Sequence, residues 1–391
     1  MSPPEKEPDA AINFLPTAKS RIAVAMSGGI DSNVTAHWLA AQGHEVVGLT
    51  AWTLNGPGKC CNDALVNAGR VCEMLGVPYD TVDLRGEFAH YVMDYYHEAY
   101  EAGLTPNPCV ECNRFVKWEL LVRYAVDELG VDYVATGHYA RLQQGAAGPR
   151  LFRPRDTRKD QTYMLSRVYP RDLSRALFPL GDWVKPDVVA YAREHNLPNA
   201  NGGESQDVCF VLDGQANYLR GVLGQRPGPV VDVDTGRQVG AHDGYYQFTL
   251  GQRRGVKVAA GRPIYVVRID PGTDTVYVGD ARHLETTAFR VIHPSWLAGE
   301  SPALPFEAMV KIRYNTPAAP ARVTADPDTP GQLLVSAATP LSAVTPGQIA
   351  AFYTADDREL LGGGYIEQTL TRADFDPHLA QSLPDLTCRL P

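Results

Sequence analysis

No stretch of the 391-residue sequence is apolar for long enough to cross a bilayer. Residues 1–20 lack the apolar core of a secretion signal, and Glu5, Glu7 and Asp9 argue against an organelle transit peptide. These absences predict a cytoplasmic protein with no membrane partner, opening on a flexible leader over 1–20. Cysteine is scarce, with seven residues in the chain. Without a secretion signal those thiols are expected to be reduced, which excludes a disulfide scaffold and leaves catalysis or metal binding as their work. Positive charge is also short: the formal net charge is −9, so nothing global draws the chain to nucleic acid. Local placement decides such binding, however. Arg141, Arg150, Arg153, Arg155, Arg158 and Lys159 fall in one stretch whose only acid is Asp156. Held beside a catalytic centre, that stretch would suit a phosphate backbone.

What is present describes two or three globular domains, at 44% hydrophobic and 21% charged residues. The first half alternates strand and helix patterns. Strands are expected at Arg21–Met26, Glu45–Trp52, Pro78–Leu84 and Asp132–Thr136, and helices at Asp31–Gln42, Asp63–Leu75, Phe88–Ala102 and Arg114–Leu129. That order predicts an α/β fold with a doubly wound parallel sheet over 21–210, its ligand site at the carboxyl ends of the strands. After about Phe210 helical periodicity fades. Short alternating segments take over, among them Tyr245–Leu250, Ile264–Ile269, Thr275–Val278, Phe306–Tyr314 and Gln332–Val335. They predict a small β-rich domain over 211–285 and a C-terminal β-barrel over 286–391.

The clearest chemistry lies in Ser27-Gly28-Gly29-Ile30-Asp31-Ser32, between the first strand and the first helix. Two glycines let the backbone turn tightly against a ligand, and the helix N-terminus offers free N–H groups to phosphate. Ser27 and Ser32 add hydroxyls, and Asp31 is a candidate Mg²⁺ ligand. No Walker lysine follows, so this is not an ordinary γ-phosphate-cleaving loop. Cys109-Val110-Glu111-Cys112 follows the rigid turn Thr105-Pro106-Asn107-Pro108 and opens a helix, where a thiol becomes more nucleophilic. Cys209 lies far off in sequence. With no second CxxC a four-thiolate zinc knuckle is not expected, and Cys60, Cys61, Cys72 and Cys388 are read as core, surface or incidental thiols.

These motifs together resemble the tRNA-specific 2-thiouridylases, PP-loop enzymes that thiolate the wobble uridine of certain tRNAs. The resemblance runs from about Arg21 to Gln368. It is carried in order by Ala25–Ser32, Thr105–Pro108 through Cys112-Asn113, Ala135–Arg141, Lys159–Tyr163, Asp207–Phe210, Leu250–Gly255, Arg313-Tyr314 and Gly347-Gln348. It implies an adenine nucleotide alpha-hydrolase-like fold and ATP bound by Ala25, Met26, Ser27, Gly28, Gly29, Ile30, Asp31 and Ser32, with Ala51 and Gly137. It also implies cleavage between the α- and β-phosphates, with AMP passed to the uridine 2-oxygen. Cys209 would carry sulfur as a persulfide, received from a donor protein or sulfide source, and Cys112 would be the partner thiol. Asn107, Pro108 and Cys109 would surround a base turned out of its stack. His138, Lys159, Asp160, Gln161, Arg313, Tyr314 and Gln348 would contact tRNA.

One position departs from the better-known motif, where an aspartate stands three residues before the catalytic cysteine. Here it is Cys109, and a thiol cannot inherit a carboxylate's duty. Two explanations stay open: Cys109 is a third sulfur-handling thiol, or Cys109, Cys112 and Cys209 hold a 4Fe–4S cluster with one open iron. Rival functions are a PP-loop ligase or amidotransferase acting on a metabolite, which has no need of Cys112 and Cys209, and a non-catalytic tRNA-binding module.

Overall fold

A computed structural model describes residues 13–55, 62–145, 148–200, 208–256, 258 and 262–370. Cys60, Cys61, Asp207 and Cys388 lie outside them. The first half holds seven strands: β1 (Arg21–Ala25), β2 (Glu45–Trp52), β3 (Tyr79–Asp83), β4 (Tyr133–Ala135), β5 (Arg141–Gly145), β6 (Gly148–Phe152) and β7 (Ala176–Leu177). Five of them form a parallel sheet ordered β3-β2-β1-β4-β7. The central strand β1 is apolar on both faces, with Ile22, Ala23 and Val24 fully buried, as a sheet covered on both sides requires.

Helices supply that cover. α1 (Ile30–Ala41) and α2 (Asn62–Leu75) pack Leu39, Val71 and Cys72 against Ile22, Val24 and Val46. α3 spans 85–101 and α4 spans 108–127, each widening to π turns in its middle, Ala89–Asp94 and Cys112–Leu120. Trp118, Leu121, Val122 and Ala125 of α4 close over Ala23 and Leu49 on the opposite face. α5 (Lys185–Glu194) lies beside α1, and the α6 helix (Gln215–Leu223) follows. The doubly wound architecture is therefore as expected.

The second half contributes β8 (Gly228–Asp232), β9 (Gln238–His242), β10 (Tyr265–Asp270) and β11 (Thr275–Gly279), a sheet ordered β10-β11-β8-β9. Then come β12 (Glu285–Trp296), β13 (Phe306–Lys311), β14 (Ala319–Ala325), β15 (Leu333–Ser342), β16 (Ile349–Tyr353) and β17 (Glu359–Leu370). These six close into a barrel, β12 pairing with both β15 and β17. The early hairpin β5–β6 extends the same sheet, because Glu359 and Leu360 at the start of β17 pair with Phe152 and Leu151. One apolar core accordingly runs from β1 through Tyr163 and Phe178 to Ile349, Tyr353 and Tyr365 of the barrel.

Two expectations are corrected. Tyr245–Leu250 is not a strand but begins with a 3₁₀ turn, Tyr245–Gln247. Tyr245 and Tyr246 are both 1% exposed, and a strand would send neighbouring side chains to opposite faces. The helix α6 was not anticipated. It is short, it contains Gly221, and only Leu219 of it is buried, so its periodicity is faint.

Candidate active site

The phosphate loop links β1 to α1. Gly28 takes φ +71°, a left-handed turn that glycine adopts without strain. No side chain caps α1, which leaves its first amides open to a ligand. Ser32 Oγ accepts from Ser27 N–H at 3.3 Å and donates to the Gly29 carbonyl at 3.0 Å, fixing the turn from within. Asn199 donates to the Gly28 carbonyl at 2.7 Å from outside it. Gly137, at the end of β4, faces the loop so closely that a Cβ there would lie 2.9 Å from Asp31. Only glycine keeps this cleft open.

Asp31 is occupied in a way its sequence did not suggest. Lys185 Nζ lies 2.6 and 2.8 Å from its two carboxylate oxygens, and the Tyr139 hydroxyl donates to one of them at 3.0 Å. Both oxygens of Asp31 thus have partners within the protein. Lys185, Tyr139 and Asn199 are functional candidates that sequence reasoning did not single out. Tyr139 lay within a quoted motif, whereas Lys185 is 154 residues from Asp31.

The thiols gather on a different surface. Asn107 caps α4 by accepting from Val110 N–H at 3.4 Å, and Cys109 and Cys112 occupy the first turns. The helix turns to π geometry at Cys112, a distortion frequent at functional sites. Cys112 and Cys209 both pack against one apolar cluster containing Phe88, Val92, Tyr96 and Phe210. Cys109 borders the same cluster through Tyr96, whose hydroxyl is pushed well up by burial, with Tyr100, Tyr218 and Cys109 adding to the rise. The Tyr96 and Phe210 rings meet edge to face at 5.2 Å. Cys112 and Cys209 thus border the same apolar cluster and Cys109 neighbours its Tyr96, none of the three in a disulfide. Cys72 is a different case: fully buried, and pushed up to about 11 by that burial, it is an inert core thiol.

Several residues expected to contact tRNA have partners within the protein. Gln348 is buried and donates to the carbonyls of Thr105 at 2.8 Å and Pro106 at 3.2 Å, while Thr105 N–H donates to the Pro346 carbonyl at 3.0 Å. The barrel loop therefore grips the turn that carries Asn107, Pro108 and Cys109. Arg313 reaches the Leu250 carbonyl at 2.9 Å and the Thr345 hydroxyl, and Tyr314 packs near Tyr163. Asp160 is buried, accepts from Thr162 and pairs with Arg153. Gln161 exchanges hydrogen bonds with the backbone of Tyr139. His138 is pushed down to about 3 by burial, with Lys117 adding to the effect, so it is a neutral ring bonded to Thr136 at 2.7 Å.

The basic stretch is divided. Arg150 pairs with Glu359, and Arg153 pairs with Asp160 and Asp357 while stacking over Tyr353, so these two tie the hairpin to the barrel. Arg158, Lys159, Lys185 and Arg193 instead line an open concavity of about 560 Å³ with Asp156. Of these, Lys185 turns inward to Asp31, while the Arg158 side chain stays exposed beside Asp156.

A phosphate loop on a doubly wound sheet, followed by a small β domain and a barrel, defines a class of nucleotide-handling chain. Comparison with known proteins agrees. Residues 20–213 match the tRNA methyl transferase HUP domain, 216–280 the tRNA methyl transferase PRC-barrel domain and 286–366 the aminomethyltransferase beta-barrel domain. A tRNA-specific 2-thiouridylase from Synechococcus sp. (strain JA-3-3Ab) is 41% identical over 90% of this chain and 95% of that protein. The protein of the same description from Chloroflexus aurantiacus is 43% identical over 89% and 98%, and that from Thermosynechococcus vestitus 42% over 88% and 94%. The chain belongs to the tRNA-specific 2-thiouridylase family.

Proposed function

We propose that this chain replaces the 2-oxygen of a wobble uridine in tRNA with sulfur, at the cost of one ATP. The observation that carries the reading is that Cys112 and Cys209 pack against one apolar cluster whose Tyr96 neighbours Cys109, in a chain whose phosphate loop lacks a Walker lysine. A ligase or amidotransferase acting on a metabolite has no use for those thiols. The domain descriptions name methyl transfer, but thiols at the start of a capped helix favour sulfur transfer.

In this reading residues 21–210 do the chemistry, and 211–285 and 286–391 support it. Ala25–Ser32, Ala51 and Gly137 bind ATP. The uridine 2-oxygen bonds to the α-phosphorus, pyrophosphate leaves with the electron pair of the broken bond, and N3 gives its proton to solvent. AMP is now the leaving group. The outer sulfur of a Cys209 persulfide bonds to C2, and AMP departs. Cys112 attacks Cys209 Sγ, so a Cys112–Cys209 disulfide forms as the S–S bond of the persulfide breaks. A thiol reductant reopens it, and a sulfur-donor protein carrying its own persulfide passes the outer sulfur to the Cys209 thiolate, the donor cysteine leaving as a thiolate. A sulfide source would instead reload Cys209 by attacking the Cys112–Cys209 disulfide, with the Cys112 thiolate as leaving group. Asn107, Pro108 and Cys109 border the flipped base, while Lys159 and Arg158 meet the tRNA backbone.

Mg²⁺ accompanies ATP in such chemistry as a counter-ion to the phosphates. A second reading rests on Cys109: the three thiols are a donor set for a 4Fe–4S cluster, which when bound would supply an open iron to hold sulfide.

The test is a thiolation assay on unmodified tRNA after anaerobic purification. We expect 2-thiouridine, AMP and pyrophosphate, and ADP formation would refute the adenylating loop. An iron-free, sulfide-free sample with full activity eliminates the cluster.

A further inference from the structure

The phosphate loop has no lysine of its own, yet a lysine is delivered to it from another helix. Lys185 opens α5, with Pro186 in the first helical turn. Its backbone N–H is fixed by the Asp156 carboxylate at 3.0 Å, and its side chain is only 14% exposed. The ammonium spans both oxygens of Asp31 at 2.6 and 2.8 Å. Asp31 sits in the first turn of α1, facing Gly137, where a Cβ would lie 2.9 Å from it. An ammonium held at the mouth of a cleft that offers backbone amides to phosphate stands next to the triphosphate path.

We propose that Lys185 is a catalytic residue of this chain. Its ammonium leaves at least one Asp31 oxygen to donate to non-bridging oxygens of ATP, and it neutralises the charge that grows on pyrophosphate as the α–β bond breaks. Lys185 stays protonated throughout: the α-phosphorus gains a bond to the uridine oxygen, and the bridging electron pair goes to pyrophosphate. Asp31 aims the ammonium. Tyr139, whose hydroxyl also donates to Asp31 and whose ring lies 5.8 Å from the ammonium, keeps the carboxylate oriented. The proposal rests on the ATP-cleaving reading above.

The experiment measures pyrophosphate release and ATP KM for Lys185→Gln, Lys185→Met and Lys185→Arg, each across a Mg²⁺ titration, with wild type in parallel. Loss of one preorganised charge donor is expected to lower kcat about 100-fold or more. Lys185→Arg should recover part of the rate, tRNA affinity should hold, and excess Mg²⁺ should rescue none of the neutral variants. A Lys185→Gln enzyme at the wild-type rate, or one restored by excess Mg²⁺, overturns the proposal while leaving the thiolation reading intact. Unfolding midpoints guard against a structural cause. If Lys185→Gln and Lys185→Arg lose stability and rate together, with kcat and KM moving in step, Lys185 is a tie between helices and the proposal fails. An inactive wild type sinks the thiolation reading instead.

Discussion

The phosphate loop and the thiol site are built on opposite plans. The loop is a contiguous strand, turn and helix start, held from within by Ser27, Gly29 and Ser32. The thiol site is assembled from α3, the start of α4, the segment around Cys209 and a barrel loop, with Gln348 reaching across 243 residues to hold Thr105. A ligand that binds mostly backbone amides needs only local geometry. Sulfur transfer needs thiols from distant segments in register, and that register has to be imposed from outside.

Breaking the thiols gives the largest effect. Cys112→Ser and Cys209→Ser should each reduce 2-thiouridine below detection by nucleoside analysis. Normal 2-thiouridine in either variant would remove the thiol site from the comparison altogether. Filling the other site comes next. Gly137→Val drives side-chain atoms into Asp31 and should weaken ATP binding by roughly 5- to 150-fold, since overpacking costs about 1–3 kcal/mol. Nucleotide titration checks it.

Gln348 is the sharpest probe of the outside brace. Gln348→Met keeps the shape but loses two donated hydrogen bonds, about 1 kcal/mol each with a further penalty for the stranded carbonyls. Thiolation should fall about 10- to 50-fold, with tRNA affinity unchanged and the alkylation rate of Cys109 and Cys112 altered even without tRNA. A loss confined to tRNA affinity would make Gln348 a tRNA contact and dissolve the contrast. The smallest effect belongs to Arg150→Ala. Its pair with Glu359 is half-exposed on the arginine side, so the stability loss should stay under about 1 kcal/mol by denaturant unfolding.

The sequence made the two plans unequally legible. Ser27–Ser32 follows an apolar strand and precedes a helix in the text itself, so position and chemistry could be read together. Cys109 and Cys112 were marked by the prolines and Asn107 before them, and Cys209 by its motif. The residue after Cys209, Phe210, packs edge to face on Tyr96, a contact no periodicity announces. Lys185 was invisible for the same reason: its partner is fixed by how α5 lies on α1. Gln348, Arg313 and Asp160 carry polar side chains that read as surface residues, and only burial shows them bonded within the protein.

The last strand of the barrel sets a timetable for the nascent chain. β17 bonds to β6, β12 and β16, and the Gln348 segment is itself held by Ile366. At about 5–20 residues per second, a ribosome needs roughly 10 to 50 s to travel from Cys112 to Ile366. Through that interval the thiols exist without the clamp that aligns them. A chain cut short before β17 would own a phosphate loop and no finished sulfur site, so competence to modify RNA waits on that strand.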